Sequence, residues 1–192
     1  MAISDHGDLP ARLVGRQVVV RRYAWSDAAD LRAVLEANRL RLGEWLPWAQ
    51  ARPTRRSVRR FLRPAIHRFG RSTADYAITL AADGRLVGGC GLIDRVGPTA
   101  LEIGYWLDGG HTGRGLVTEA AGLLTGAALA LDGIERVEIH CDQANHPSAA
   151  VPPRLGYRLD RIEPDEIRAP GESGRSMIWV RDALACQGGS HG

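Results

Sequence analysis

Lysine is absent from the 192-residue chain, so all 25 of its basic side chains are arginine. A phosphate loop of the Gly-Lys-Ser/Thr type is therefore excluded, because nothing can supply its lysine. Cysteine is scarce. Cys90, Cys141 and Cys186 are scattered and odd in number, which argues against a disulfide framework and against Cys-based metal ligation. A reducing cytoplasm is the compartment this usage fits. No apolar run reaches the ~18 residues of a membrane-spanning helix. The start, MAISDHGDLPARL, lacks a basic stretch followed by an apolar one, so no secretory leader is expected. No internal repeat is present.

What remains is ordinary globular material, long enough to bury a core without metals or disulfides. Residues 1–12 are expected to form a loose tail, 13–182 a single domain, and 183–192 a flexible, low-complexity end. The arginines are uneven: Arg52, Arg55, Arg56, Arg59, Arg60, Arg63, Arg68 and Arg71 crowd one segment. Val58, Phe61, Leu62, Ile66 and Phe69 fall between them at helical spacing, which predicts an amphipathic helix from about Thr54 to Gly70. Pro64 should kink or divide it. Its basic face reads first as a solvated surface, with docking of acidic protein, RNA or ligand phosphates as the alternative.

Strands are expected over 17–22, 76–81, 86–94, 99–107, 136–141, 156–161 and 176–181. Asp83-Gly84 and Gly97-Pro98 mark tight reversals, which make the middle three antiparallel. Ser26 and Asp27 precede a helical pattern through Leu31, Val34 and Leu35. A second, Ala- and Leu-rich helix runs from about Leu116 to Leu131, and Asn145 opens a short one ending near Leu155. The order predicts an α+β domain: a mixed, mostly antiparallel twisted sheet of about six to seven strands with helices on both faces.

The densest chemical signal is Gly113-Arg114-Gly115-Leu116-Val117-Thr118-Glu119-Ala120, directly after a strand. Glycines let the backbone approach an anion, and the helix start offers unpaired N–H groups and a favourable dipole. Arg114 could add a charged contact. A tight strand–helix turn explains the same residues equally well. Alternation along 99–107 places Glu102, Gly104 and Trp106 on one face and Leu101, Ile103, Tyr105 and Leu107 on the other. Glu102 is then either a surface charge or a carboxylate beside an anion loop.

Together these segments resemble the GNAT acyltransferases, and within them the RimJ/RimL branch. The resemblance rests on Leu101-Glu102-Ile103-Gly104-Tyr105-Trp106-Leu107, on the glycine loop, on Glu135-Arg136-Val137-Glu138-Ile139, on Asn145, Ser148 and Leu155-Gly156-Tyr157, and on Trp45-Leu46-Pro47-Trp48. It spans most of 13–182. It implies a GNAT fold and a cytoplasmic N-acyltransferase using acetyl-CoA as co-substrate, without a metal. The pyrophosphate would lie on His111, Thr112, Gly113, Arg114, Gly115, Leu116 and Thr118. Backbone groups of Tyr105, Trp106 and Leu107 would bond the pantetheine in a splay between 99–107 and 136–141, one N–H facing the thioester oxygen. Two positions depart from the family pattern. Gly110 stands where a glutamine or arginine often opens the loop, and Pro152 stands where many members carry a tyrosine acid. Ser148 is the substitute the branch implies.

The chemistry needs a neutral amine, a stabilised oxyanion and a protonated thiolate. An α-amino group titrates near ~7.7–8.0 against ~10.4 for lysine, so a weak or water-mediated base suffices. Glu102 is the candidate, acting directly or through water. Asn145 is either a helix cap or a pantetheine contact. Trp45, Trp48, Tyr76 and Trp106 are candidates for the acceptor cleft, the first two serving equally well as core plugs. Cys141 reads as a buried small hydrophobe rather than a nucleophile, with His140 on the opposite strand face. His140, Asp142 and His146 lack metal-ligand spacing. The expected partners are an acyl-CoA and an amine, most simply a protein N-terminus. A homodimer is left open; neither membrane nor nucleic acid is expected. A small amine acceptor, a larger donor such as succinyl-CoA, a non-catalytic acyl-CoA-binding module and an RNA-docking protein are the rival readings.

Overall fold

The structure, a computed structural model, describes residues 9–69 and 73–183. In chain order the strands are β1 (Arg12–Val14), β2 (Val18–Arg22), β3 (Ala74–Leu80), β4 (Leu86–Ile93), β5 (Ala100–Leu107), β6 (Arg136–Asp142), β7 (Arg158–Pro164) and β8 (Arg175–Asp182). The helices are α1 (Ala28–Ala37), α2 (Arg39–Gly43), α3 (Arg55–His67), α4 (Leu116–Leu129), α5 (His146–Ala149) and α6 (Val151–Arg154). The strands form one eight-stranded sheet in the order β1-β2-β3-β4-β5-β6-β8-β7. The count exceeds expectation by β1, whose three residues are too short a run to carry a period-2 signal. β5–β6 is the one parallel pair; every other neighbour is antiparallel.

The sheet is covered on both faces. On one side α4 packs Leu116, Ala120, Leu124 and Ala128 against Val18, Val20, Ile78, Leu101, Ile103 and Val137. On the other, α1 and α3 bring Leu31, Val58, Leu62 and Ala65 onto Tyr23, Ala77 and Leu86. α3 begins with reciprocal caps: Ser57 N–H donates to Thr54 Oγ1 at 3.0 Å, and Thr54 N–H donates to Ser57 Oγ at 2.9 Å. Pro64 does not divide this helix. The chain continues helical to His67, because tertiary packing of Leu62 and Ala65 holds the last turn. Pro152 and Pro153 do break the segment after Asn145 into two single turns, α5 and α6.

The expected N-terminal tail is shorter at its inner end. Leu9 is buried in the α4-side core, and Pro10 C=O accepts from Tyr76 Oη at 3.1 Å. Residues 1–8 and 184–192, most of the two expected tails, lie outside the described residues, as does Arg71.

One buried ion pair ties β2 to the start of α1. Arg21 donates to both oxygens of Asp27, at 2.9 and 2.7 Å, and Ala24 N–H donates at 2.8 Å. Burial alone would lift the Asp27 carboxyl, but these donors outweigh it and hold the group below its ordinary value. A depressed carboxyl stabilises the fold above its unfolded value and ceases to as pH falls through its folded one. Asp27→Asn should therefore cost about 1–3 kcal/mol at pH 7. Thermal unfolding should find this gap shrinking below about pH 4. A gap that is equal at pH 7 and pH 3 would contradict the assignment.

Candidate active site

β5 and β6 run parallel for only three residue pairs, Ala100↔Arg136, Leu101↔Val137 and Glu102↔Glu138. Beyond them β5 stays with β4 up to Leu107 and β6 stays with β8 up to Asp142, so the two strands part. Backbone N–H and C=O groups along the parted edges lose their ladder partners and need others. A cleft of about 1900 Å³ passes through the opening, lined by Tyr105, Trp106 and Leu107 on one side and His140, Cys141 and Asp142 on the other.

On the α4 side the cleft meets the glycine loop. Thr112, Gly113, Gly115, Leu116, Val117 and Thr118 line it. Gly113 and Gly115 have φ of +74° and +77°, which side-chain-bearing residues rarely adopt, and a Cβ at either would meet only open space. These conformations lead into a 14-residue helix with no side-chain cap, whose first-turn N–H groups have no partner within the helix. The acid of that turn, Glu119, is directed elsewhere. It accepts from the backbone N–H groups of Arg16 and Gln17 in the β1–β2 turn. The loop is anchored from behind. Asn38 donates to Asp108 at 2.6 Å and accepts from Gly109 N–H at 2.7 Å, while Arg41 donates to Leu107 C=O.

Two loop residues do not reach the cleft as expected. The His111 ring is held by Asp108, 2.6 Å from Nδ1, and so braces the loop from outside. Arg114 is solvent-exposed and does not line the cleft, which leaves anion contact to the backbone. Asn145 acts as the cap: its side-chain oxygen accepts from Ser148 N–H at 3.3 Å, and it lines the cleft as well. Ser148 is beside Tyr105. The phenol donates to Ser148 C=O at 3.0 Å, and Ser148 Oγ donates to the phenol oxygen at 3.4 Å. Burial drives the Tyr105 phenol well above its ordinary value, so it remains protonated. Burial also pushes the Cys141 thiol up to about 11, in keeping with a buried hydrophobe rather than a nucleophile.

On the α1–α3 side the cleft widens between Trp45, Trp48, Phe61 and Trp106. Trp48 is 54% exposed and meets Trp106 edge-on at 6.4 Å, so these tryptophans form a wall rather than a plug. Gly89 permits that wall: a Cβ there would lie 2.6 Å from both the Trp106 indole nitrogen and the Tyr23 hydroxyl. Tyr76 is misassigned by the sequence reading. It faces α4, fully buried, with its ring 4.9 Å from Phe69; its neighbour Asp75 faces the cleft instead. Strand alternation makes the error a single residue of parity.

Glu102 is buried at the cleft floor, where both its oxygens accept from Arg95, Nε and Nη2 each at 2.6 Å. Opposite Glu102 in the β5–β6 ladder, Glu138 accepts from Arg136 Nε at 2.8 Å and contacts His140 Nε2 at 2.7 Å. Burial would raise the Glu138 carboxyl; the contacts with His140 and Arg136 win and hold it low. No group of three or more His, Cys, Asp or Glu among the described residues is placed to hold a metal.

Residues 17–158 match the model of the acetyltransferase (GNAT) domain family. The chain belongs to the GNAT acetyltransferases. It is an enzyme of acetyl transfer, and acetyl-CoA is its co-substrate. The RimJ/RimL resemblance is borne out by its relatives. YdaF of Bacillus subtilis, whose name assigns it provisionally as a ribosomal N-acetyltransferase, is 31% identical over 146 residues, 75% of this chain and 79% of that protein. In fold, the chain matches a RimL ribosomal L7/L12 α-N-protein acetyltransferase in complex with CoA. The TM-score is 0.78 at 22% identity, over 91% of this chain and 97% of that one. RimJ of Mycobacterium smegmatis matches with TM-score 0.77 at 23% identity, over 93% and 90%. The microcin C7 self-immunity acetyltransferase MccE, with acetyl-CoA and AMP, matches with TM-score 0.78 at 18% identity, over 91% and 98%.

Three site groups of this acetyltransferase escape the sequence: Arg95, Glu138 and His140. Period-2 spacing puts Glu138 and His140 on one face of β6, but only the β5–β6 register brings that face level with Glu102. No helix of the described residues is long and apolar enough to cross a membrane.

Proposed function

We propose that this acetyltransferase moves acetyl from acetyl-CoA to the α-amino group of a protein N-terminus, by direct attack with both substrates bound, in the cytoplasm. The observation that carries this is the acceptor half of the cleft. It opens at the exposed Trp48, and carboxylates that include Asp75 and Glu102 line the cleft together with Arg52, Arg95 and Arg168. Its volume, about 1900 Å³ in all, exceeds the ~300–1,000 Å³ typical of a small-molecule site and suits CoA together with a chain end. The RimL neighbour is itself named for α-N-protein acetylation.

In this reading the loop N–H groups of Gly113 to Thr118 hold the pyrophosphate. Parted-edge groups of Tyr105 to Leu107 hold the pantetheine, and one N–H there meets the oxyanion. Asn145 keeps the short helix in register beneath it. Glu102 receives the amine. Ser148 donates to the departing thiolate, a weak demand because a thiol titrates near ~8.5. The chain, having no lysine, offers no ε-amine of its own.

The test is steady-state acetyl transfer, followed by thiol release, on matched peptides with free and blocked N-termini and on a panel of small amines. Free-N-terminus peptides should be acetylated and blocked ones, lysine included, should not. Turnover confined to small amines would overturn the acceptor assignment. Ser148→Ala should lower kcat about tenfold, the worth of one hydrogen bond, with acetyl-CoA affinity unchanged.

A further inference from the structure

The β5–β6 register aligns Glu102 with Glu138, and His140 follows two residues later on the same face, just inside the splay. The imidazole stands between the two carboxylates. Nε2 is 2.7 Å from Glu138 and Nδ1 is 3.7 Å from Glu102. Each carboxylate has its own guanidinium, Arg95 on Glu102 and Arg136 on Glu138, so the four charges balance around a ring that lines the cleft. Both carboxylate side chains are nearly sealed from water, at 5% and 3% exposure, while the ring keeps 20%.

This arrangement has a consequence for proton placement. Glu138 is an ionised acceptor, so it selects the tautomer with hydrogen on Nε2. Nδ1 then carries a lone pair and faces Glu102 Oε2, another acceptor. Two acceptors 3.7 Å apart share no proton between them. They make a gap suited to a donor with several N–H bonds, which is what a primary amine presents. Glu102, with both oxygens already bound to Arg95, still has a lone pair for one such bond.

Resting on the acetyl-transfer reading above, we propose that His140 is the proton acceptor for the attacking amine and that Glu138 positions its ring. Glu102 holds the amine, which attacks in its neutral form. Its lone pair forms the C–N bond to the thioester carbon while the carbonyl π pair moves to oxygen, and Nδ1 takes a proton from the nitrogen as it becomes cationic. The oxygen pair then re-forms the carbonyl and the C–S bond breaks, its electron pair leaving on the thiolate, which takes a proton from Ser148 that water replaces, while the proton on His140 passes to water. The imidazolium would donate from Nε2 to Glu138 and stand 3.7 Å from Glu102, so the charge arises between two anions. The other charged groups lining the cleft on this side are Glu44, Arg52, Asp75, Asp142, Asp165, Arg168 and Glu172.

The experiment measures kcat, KM and CoA affinity for the unaltered protein, H140Q, H140A and E138Q, using a free-N-terminus peptide and a weakly basic aromatic amine that stays neutral above pH 5. H140Q should lose ~10²- to 10⁴-fold in kcat, with CoA affinity and thermal midpoint unchanged. With the weakly basic amine, the low-pH limb of the unaltered protein should vanish in H140Q. Added imidazole should restore part of the turnover of H140A. E138Q should move the limb to lower pH, because the imidazolium loses an anionic partner; a purely structural Glu138 would leave it in place. If H140A fails to fold, H140Q, which keeps a donor to Glu138, carries the test. Equal turnover in H140Q, or a fall with the limb intact and no rescue in a folded H140A, would overturn the proposal. Absence of turnover by the unaltered protein on every amine would overturn the function and this inference together.

Discussion

Gly115→Val is expected to lower CoA affinity by roughly 10- to 10²-fold while the fold survives. Gly115 has φ of +77° and ends the loop as the N-cap immediately before α4. A β-branched residue is a steric outlier there, at a cost of about 1–2 kcal/mol for the left-handed conformation. The protein itself leaves the space of the new side chain empty, so folding meets no clash. The anion does meet one: the methyl groups would stand where phosphate oxygens must approach the N–H groups. Losing one charge-assisted hydrogen bond lowers the affinity by ~1.5–3 kcal/mol, whereas the strain falls on free and bound protein alike. Gly113→Val, at φ +74°, should act in the same way. The control is Gly84→Val in the β3–β4 turn, where φ is +73° and the Cβ again meets nothing. Strain is matched, so its thermal midpoint should fall comparably with CoA affinity intact. Calorimetry on the three variants separates the effects. Unchanged affinity at Gly115 would remove the loop as the phosphate site.

Much of this site could be read before the fold was known, and the division has a physical cause. The loop was legible because its requirement is local: two glycines between a strand and a helix supply the positive φ and bare N–H groups by themselves. Glu102 and Trp106 were legible as one face of β5 because alternation needs no partner strand. Tyr76 was misplaced because parity shows which residues share a face and does not show which face meets solvent. Arg95 was invisible for a different reason. It is one of 25 arginines, and nothing in its turn distinguishes it from the others until β4 and β5 pair. Glu138 and His140 depend on the parallel register of strands separated by all of α4, a contact between distant parts of the chain that local pattern does not encode. The conformations set by single residues were therefore readable, whereas the charge pairs that tune the cleft belong to the tertiary structure.

Glu102→Gln is the second large effect, and it divides two chemical roles that the structure brings together. The substitution keeps shape and one carbonyl acceptor but removes the negative charge that faces the amine. It also points an NH₂ group at the Arg95 guanidinium, which bonds both oxygens in the native pair. Turnover should fall by roughly 10²-fold or more, and the acceptor KM should rise, because both binding and orientation of the ammonium use this charge. Acetyl-CoA affinity should be unchanged, since the loop and the parted strand edge lie beyond its reach. The pH profile then assigns the proton. With His140 as acceptor, the low-pH limb persists in Glu102→Gln at reduced amplitude. If Glu102 takes the proton itself, the limb disappears there and survives in H140Q. Arg95→Gln completes the argument. It leaves Glu102 at 5% side-chain exposure without its cation, so stability should fall. In a double-mutant cycle, the pair should be coupled in stability, and Arg95→Gln should cost no further turnover once Glu102 has lost its charge. A turnover loss for Arg95→Gln that persists in the Glu102→Gln background would show the guanidinium meeting the substrate directly.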